Sequence, residues 1–469
     1  MSIVKARTGV FFKGIFLDAR AKMERMKGGF SIMDGSFERE AKIAQELMRN
    51  YKGRNYTFGV GCLESVGSYV REFGETTLLI ISQRDWAKDL RKKVLTILEN
   101  YSIEILEEVD TASPNTPTED VFELANVIKK VCPQSITCVG GGSAIDCAKA
   151  SNALASLSPE ANDLEPFFGE GKVSEIARVK GKKLYPLVAV QVASGSGSHL
   201  TKYSNVTYTD KNQKKIIIDD ILVPQRAVFD YLTTLSMSED LTKDGAMDGF
   251  SHSLEVYLGY KNGDNKLVED ICLTSMSLIV GTLPLLVKDL GNIRFRELVG
   301  LATDLGGYAI MMGATDGPHL NSFSLVDILS HGRACAILLP YYIVFFSKSV
   351  RDKLKKLAGI FKDYINSDLK KLDSDKISSR ELGEILAMAV IDFSKRVGFP
   401  TKLSEIPGFT DLHIDKMIEA AKNPQLESKL KSMPVPLSSS LVDVYMRPLL
   451  EAARDGDFSL IKNMEHFSI

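Results

Sequence analysis

The fold of this chain is decided by the stretch Val139-Gly140-Gly141-Gly142-Ser143-Ala144-Ile145-Asp146, which follows the apolar, β-rich run Ile136–Val139 and opens a helical pattern. Glycines between a strand and a helix let an anion approach the backbone closely, and the helix amides and dipole then attract it. Ser143 and Asp146 also form an S-x-x-D pair, which predicts a helix cap. The stretch is therefore either a phosphate-binding loop or an ordinary tight turn.

Strand and helix patterns alternate on both sides of this loop. The further β-rich runs are Thr77–Ile81, Ile103–Leu106 and Leu184–Val190, and the helical segments between the strands include Trp86–Leu98 and Val121–Val131. Strands that alternate with helices of this length indicate crossover units in a mainly parallel sheet. The sequence therefore predicts a Rossmann-like α/β nucleotide-binding domain over residues 56–222.

The pattern changes after Pro224, where long helical segments dominate and strand signals are rare. Leu267–Val287 and Ile293–Met311 are examples. We therefore predict an all-α domain over residues 223–469.

Residues 1–55 look like an N-terminal extension. Its apolar positions could form one face of a basic amphipathic helix: Val10, Phe11, Ile15, Phe16 and Leu17. The extension is either a membrane or organelle-targeting segment or an arm that packs on the protein or on a second copy.

Composition excludes several classes of protein. The 469 residues carry a net charge of −2, so no global positive field holds nucleic acid. The longest apolar run, near Ala334–Phe346, contains Pro340 and is too short to span a membrane. The six cysteines form no C-x-x-C pair, and we find no secretory signal. We therefore expect reduced thiols and a cytoplasmic protein.

A carboxylate and several histidines lie in the predicted helical domain. Asp248 precedes His252 by four residues, so both side chains share one face of a helix. His319 and His331 follow at a spacing of 12. A carboxylate with three imidazoles suits Fe²⁺ or Zn²⁺ with an open position for substrate. The alternative is a set of unrelated core or surface histidines.

Four motifs in this order resemble the iron-containing, group III alcohol dehydrogenase family. They are Gly140–Lys149, the small-residue loop Ser194-Gly195-Ser196-Gly197-Ser198, Gly245–Glu255 and His331–Pro340, and the resemblance runs from about Asn55 to about Asp455. The resemblance implies the dehydroquinate synthase-like fold of that family. In this fold an α/β nucleotide domain and a helical metal domain face each other across a cleft.

The resemblance also implies the site residues. The catalytic metal ligands fall on Asp248, His252, His319 and His331. The cofactor contacts fall on Gly140, Gly141, Gly142, Ser143, Asp146, Ser196, Lys215 and Gln83. The implied cofactors are NAD or NADP and Fe²⁺, with Zn²⁺ as the alternative.

Four features of the sequence depart from the family pattern. Val192-Ala193 replaces a usual Thr-Thr, and His199 replaces a usual Glu. Gln83 stands where an Asp often selects NAD, so we expect weak discrimination against NADP. Phe323 stands where many members have a proton-relay histidine, and a phenyl ring cannot carry protons.

The implied function is hydride transfer between NAD(P) and a small alcohol, aldehyde or ketone, in a homo-oligomer such as a dimer. Three alternatives remain. They are a glycerol dehydrogenase-like or other zinc enzyme of the same superfamily, a catalytically silent nucleotide- and metal-binding relative, and a structural protein with accidental histidines.

Overall fold

A computed structural model describes residues 34–210, 213–261, 266–365 and 376–464. The amphipathic face predicted at residues 10–17 lies outside these ranges. The described chain forms an α/β region followed by a helical region, which confirms the predicted fold class.

A six-stranded parallel sheet forms the centre of the α/β region. In the order of the sheet its strands are β1 (Tyr56–Gly59), β9 (Arg226–Asp230), β6 (Leu187–Gln191), β4 (Ser135–Gly140), β2 (Thr76–Ile81) and β3 (Glu104–Val109). Every residue of β4 is buried, as expected for a central strand with both faces covered. The glycine loop leaves the sheet at the carboxyl end of this central strand.

Helices cover both faces of the sheet because successive side chains of a strand point to opposite sides. Leu78 and Ile80 enter one apolar cluster, and Leu79 and Ile81 enter another. The helices of this region are α2 (Ser65–Arg71), α3 (Lys88–Asn100), α4 (Thr118–Val131), α5 (Gly142–Leu157) and α6 (Lys172–Lys180).

A smaller sheet was not predicted. Its antiparallel strands β7 (Tyr203–Tyr208) and β8 (Gln213–Ile218) extend to the two-residue strand β5 (Gly169–Glu170). Strand β9 was not predicted either, and it lies beyond the predicted domain boundary at 222/223 although it pairs with β1 and β6. We therefore propose that the helical domain begins at Glu239.

The helical region contains ten α-helices among the described residues. They are α7 (Glu239–Gly259), α8 (Lys266–Leu286), α9 (Ile293–Met312), α10 (Gly317–Ser322), α11 (His331–Phe346), α12 (Arg351–Ile360), α13 (Ser379–Arg396), α14 (Asp411–Ala421), α15 (Glu427–Lys431) and α16 (Val442–Asp455). Helix α8 is long and apolar enough to cross a membrane by length and composition, but 56% of its apolar window is buried. It packs against α7 and α9, as a core helix does.

The last part of the predicted extension is a helix, α1 (Asp34–Lys52). Ala41, Ala44 and Met48 are buried in the core of the helical region, where α1 packs on α8 and α9. The Phe37 ring lies where a side chain at Gly281 of α8 would stand. For these residues the packing supports the alternative of a packing arm.

Candidate active site

The four predicted metal ligands converge on one point. Asp248 and His252 lie one turn apart on α7, His319 lies on α10, and His331 is the first residue of α11. The Nε2 atoms of His252, His319 and His331 lie 3.8, 3.7 and 3.8 Å from Asp248 Oδ1. Three elements that are distant in sequence therefore aim their ligand atoms at the same carboxylate oxygen.

This cluster fits a divalent metal ion. Asp248 Oδ1 and His319 Nε2 are buried and have no hydrogen-bond partner among the described residues. An unsatisfied buried polar atom costs about 1–3 kcal/mol, and a bound cation would remove that cost. One carboxylate and three imidazoles form a donor set for Fe²⁺ or Zn²⁺ that leaves coordination positions open.

The surroundings of His319 and His331 favour the neutral imidazoles that metal binding requires. Burial lowers the pKa of His319 and of His331 well below the usual value. The positive charges of Lys214 and Lys429 lower both pKa values further. Burial also raises the pKa of Asp248, and the nearby His252 opposes that rise.

Cys335 is a further potential ligand that the sequence analysis did not identify. It follows His331 by one helical turn, and its Sγ belongs to a group with Asp248, His319 and His331 whose ligand atoms all lie within 4.8 Å of one another. Burial raises the pKa of its thiol well above the usual value, and Asp248 contributes to the rise. The H-x-x-x-C spacing of His331 and Cys335 was the sequence feature that could have identified this thiol as a possible ligand.

Glu255 orients His319, the third predicted ligand. Its Oε1 lies 2.6 Å from His319 Nδ1, which leaves Nε2 of that ring directed at the cluster. Its Oε2 accepts the backbone N–H of Asp316 at 2.7 Å. Burial raises the pKa of Glu255 to about 7. Sequence reasoning missed this residue, although it lies three positions after His252 and so near the same helix face.

The change Glu255→Gln is expected to weaken metal binding roughly 10- to 100-fold, the usual effect of removing an outer partner of a ligating histidine. Glutamine has one acceptor oxygen in place of two, so either His319 or the Asp316 amide loses its bond. A competition titration with a chelator measures the change. Glu269→Gln, in an exposed ion pair with Lys356, is the control, and equal affinities in both variants would contradict the orienting role.

The glycine loop provides free amides for an anion. Gly141 is the residue before α5 and makes no side-chain cap, because it has no side chain. The predicted capping pair is wrong. Ser143 Oγ accepts the Asn115 N–H at 3.1 Å, and the Asp146 carboxylate accepts the Ser198 hydroxyl at 2.5 Å and the Asn205 N–H at 2.9 Å. The first amides of α5 are thus left to a ligand.

The glycines of this loop differ in how much room surrounds them. A Cβ at Gly140 would lie 2.4 Å from Ala144 Cβ, and one at Gly142 would lie 2.6 Å from Ser196 Oγ. A Cβ at Gly141 would meet only Ala193, at 3.6 Å. The glycine loop therefore packs closely on the small-residue loop at Gly142, and Gly141 is the one of the three glycines with room for a Cβ.

Lys149 holds the end of the small-residue loop and the residues that follow it in place. Its Nζ is buried and donates to the carbonyl oxygens of Ser198, Thr201 and Tyr203 at 2.6, 2.8 and 2.8 Å. Burial lowers its pKa to about 8. The motif Gly140–Lys149 contains this lysine, but its role depends on contacts with a distant segment.

Lys215 does not point toward the cluster. Its Nζ pairs with Glu165 at 2.6 Å and lies 5.0 Å from the centre of the Tyr208 ring. The preceding residue, Lys214, is buried, and its charge interacts with Asp146 and Asp248. Side chains alternate along β8, so only one of two adjacent lysines can face the site. The structure places Lys214 there instead of Lys215.

Gln83 is exposed and lies two residues after β2. Its backbone N–H donates to Asp110 Oδ1 at 3.1 Å, and the Thr111 N–H donates to the same oxygen at 2.7 Å. The Asp110 carboxylate therefore lies beside the backbone of Gln83, whose own side chain is neutral. Asp110 follows β3, and Gln83 follows β2. The two residues lie close together because β2 and β3 are adjacent in the sheet.

The structure also shows the positions of Phe323 and His199, two further departures from the family pattern. Phe323 is buried, lines the cleft and stacks on His331 with ring centres 6.1 Å apart. His199 is buried away from the cluster, with Nε2 at 3.3 Å from Asp304 Oδ1 and 3.2 Å from the Tyr56 hydroxyl. An apolar ring thus occupies the place of the relay histidine, and His199 belongs to a separate network with Asp304 and Tyr56.

A cleft of about 500 Å³ lies between the α/β region and the helical region. Ser196, Ser198 and Asn205 line its α/β side, and the metal cluster lines the helical side. Lys429 of α15, which sequence reasoning missed, also lines it. Asp146 of α5, the helix that the glycine loop opens, lines the same cleft as the four predicted metal ligands.

Comparison with known proteins identifies the family. Residues 53–231 match the family model "Iron-containing alcohol dehydrogenase", and residues 242–433 match "Fe-containing alcohol dehydrogenase family, C-terminal". The chain therefore belongs to the iron-containing alcohol dehydrogenase family, as the sequence motifs predict. This family is iron-containing and NAD(P)-dependent.

Individual relatives agree with this assignment. Alcohol dehydrogenase 4 of Schizosaccharomyces pombe is 28% identical over 63% of this chain and 67% of its own length. The NAD-dependent methanol dehydrogenase of Bacillus methanolicus is 23% identical over 74% of this chain and 86% of its own. The crystal structure of an archaeal halo-thermophilic alcohol dehydrogenase from a Red Sea brine pool has the same fold, with a TM-score of 0.73 and 21% identity over 86% of this chain and 98% of that one.

Proposed function

We propose that this chain interconverts an alcohol and an aldehyde or ketone by hydride transfer with NAD or NADP, and that Asp248, His252, His319 and His331 hold Fe²⁺ or Zn²⁺. The convergence of these four side chains in a cleft that Asp146 of α5 and Ser196 of the small-residue loop also line carries the proposal. When bound, the metal supplies a Lewis acid for the substrate oxygen, and the nicotinamide supplies or accepts the hydride.

The residues of this chain bind and orient the reactants. The amides that open α5 face the dinucleotide phosphates, and Ser196 on the opposite loop lines the same cleft. We assign Lys214, in place of Lys215, to the nicotinamide ribose, because Lys214 is buried on the face of β8 that also presents Ile216 to the cleft. Glu255 holds the Nδ1 proton of His319.

Phe323 excludes water from one side of the metal cluster and provides no proton acceptor. The proton of an alcohol therefore leaves through solvent or a cofactor hydroxyl. Phe323 and Val192-Ala193 are also the observations that favour the second candidate, a catalytically silent nucleotide- and metal-binding relative.

A screen of the protein, reconstituted anaerobically with Fe²⁺ or Zn²⁺, separates these two candidates. We expect oxidation of NADH by short-chain aldehydes and reduction of NAD by the matching alcohols. Binding of cofactor and metal without turnover of any alcohol or aldehyde would favour the silent relative and contradict the proposed activity.

The same screen tests the cofactor preference. Gln83 alone predicts weak discrimination, but the Asp110 carboxylate lies against it and would repel a 2′-phosphate. We therefore expect a preference for NADH of about tenfold or more, which Asp110→Asn should reduce. Equal use of both cofactors by the unaltered protein would contradict this assignment.

We expect the enzyme to work in a reducing compartment such as the cytoplasm. All six cysteines are free, and Cys138, Cys147, Cys272 and Cys335 are buried. A homo-oligomer remains our expectation from the family resemblance.

A further inference from the structure

Helix α1 connects the core of the helical region to the small-residue loop. It ends at Lys52, and the match to the family model begins at residue 53, so α1 lies outside the residues that match the family. Its buried residues pack on α8 and α9, and Glu38 forms an ion pair of 2.6 Å with Arg294 of α9. The last turn of α1 then contacts the residues that follow the small-residue loop.

Tyr51 makes this contact. Its ring stacks on that of Tyr308 of α9, with ring centres 3.8 Å apart and an interplanar angle of 10°. Its hydroxyl donates to the carbonyl oxygen of Leu200 at 3.1 Å. Burial raises the pKa of Tyr51, so the hydroxyl keeps the proton that it donates. Leu200 is fully buried, and its carbonyl group therefore needs a hydrogen-bond partner inside the protein.

The small-residue loop is in close backbone contact with two helices of the helical region. A Cβ at Gly245 of α7 would overlap the Ser194 carbonyl group, and a Cβ at Gly197 would lie 2.6 Å from Gly307 Cα of α9. Gly307 immediately precedes Tyr308, so the stacked pair of tyrosines follows directly on this contact. The position of the loop is therefore determined by its contacts with α7 and α9 and by the hydrogen bond from α1.

The same loop carries Ser196, which we assign to the cofactor and which lines the cleft together with Ser198. The Ser198 hydroxyl accepts from Lys149 Nζ of α5 at 3.0 Å, and Lys149 also binds three carbonyl oxygens of the segment 198–203. Tyr51 binds a fourth carbonyl of this segment, that of Leu200, from the helical region. The cofactor loop is thus held by a lysine of the α/β region and by a tyrosine of α1.

We propose that Tyr51 is a positioning residue for the cofactor: through the Leu200 carbonyl, α1 holds the small-residue loop in the conformation that binds the dinucleotide. This inference rests on the proposed function, because it requires NAD or NADP in this cleft. A loop that is released from α1 populates other conformations, and the apparent affinity falls with the fraction of molecules in the competent one. By reciprocity, the bound cofactor stabilises the docked position of α1.

Tyr51→Phe removes the hydroxyl and keeps the stacked ring, so it tests the hydrogen bond alone. We expect the Kd for NADH, measured by fluorescence titration of the metal-loaded full chain, to rise about fivefold, the equivalent of one ordinary hydrogen bond. Tyr51→Ala should raise it further, because the stacking is lost as well. Tyr341→Phe is the matched control and should leave the Kd unchanged. It removes a buried hydroxyl that donates to the Thr401 carbonyl at 3.0 Å, and neither residue lines the cleft.

Two further readouts separate positioning from a merely structural role. Tyr51→Phe should raise KM for NADH and leave kcat at saturating NADH unchanged, since Tyr51 contacts the loop and not the reactants. In the unaltered protein, saturating NADH should slow hydrogen exchange in the last turn of α1, residues 48–52, and Tyr51→Phe should remove most of this protection.

Equal NADH affinity in the unaltered protein and in both Tyr51 variants would overturn the inference alone, and so would an equal loss of affinity in Tyr341→Phe. If the unaltered protein bound neither NADH nor NADPH, the proposed function would be overturned and this inference with it.

Discussion

His252→Ala and His331→Ala are each expected to reduce bound metal from about one ion per chain to less than about one tenth of that content. Each change removes one of three imidazoles that lie 3.7–3.8 Å from Asp248 Oδ1. Asp248 Oδ1, the oxygen that these imidazoles surround, is buried without a hydrogen-bond partner among the described residues, as expected for an atom that binds a cation. Elemental analysis after anaerobic purification and dialysis measures the content.

His413→Ala is a matched control for these changes. His413 is also a buried imidazole, but it caps α14, where its Nδ1 lies 3.1 Å from the Thr410 amide. This variant should lose some stability, about 1 kcal/mol, and keep its metal. Undiminished metal in both ligand variants would show that the cluster is not the metal site.

Cys335→Ser identifies the fourth ligand. The thiol and His252 both lie beside the three-residue set of Asp248, His319 and His331. Because burial keeps the thiol protonated, we expect Cys335→Ser to retain metal and His252→Ala to lose it. The reverse result would replace His252 by Cys335 in the ligand set and would favour zinc, for which a thiolate is a good ligand.

The sequence predicted the parts of the fold that depend on local patterns. Continuous apolar runs indicated the central strands β2, β4 and β6, and the glycines at 140–142 marked the turn into α5. The i, i+4 spacing of Asp248 and His252 placed both on one helix face. These features need no knowledge of distant contacts, because helix and strand periods determine them.

The features that were missed depend on contacts between distant segments. Strand β9 lies between β1 and β6 in the sheet, so its position is set by partners about 170 and 38 residues away. Lys214 and Lys215 cannot be distinguished until the register of β8 is known, since a shift by one residue exchanges their faces. Glu255 has a role only because it contacts His319, which lies on another helix. Lys429 lines a cleft whose other lining residues lie more than 90 residues earlier in the chain.

Gly141→Val is expected to weaken dinucleotide binding roughly 100-fold or more, which corresponds to about 2.7 kcal/mol. The three glycines of the loop are not equivalent in this respect. Substitution at Gly140 or Gly142 would force a Cβ against Ala144 or Ser196 and would disturb the loop itself. At Gly141 the Cβ meets only Ala193 at 3.6 Å, an ordinary contact, so the fold should remain intact.

The added side chain at this position would lie next to Ala193 at the start of α5. It would also cover the first amides of α5, which no protein side chain caps at Gly141. Gly359→Val is the matched control, because Gly359 lies on the exposed face of α12 and a Cβ there has no neighbour within 4 Å. That change should cost some helix stability and leave cofactor affinity unchanged.

The single tryptophan of the chain provides the readout. Trp86 lies in a short helical turn just after β2, close in sequence to Gln83, and is 51% exposed. NADH bound along this edge of the sheet should therefore emit when Trp86 is excited. We expect that signal to disappear in Gly141→Val and to persist in Gly359→Val, with unchanged unfolding temperature for Gly141→Val. If Gly141→Val bound NADH as tightly as the unaltered protein, the loop would be only a turn. The phosphates would then have to lie elsewhere, because no dinucleotide can keep its contacts with amides that a valine covers.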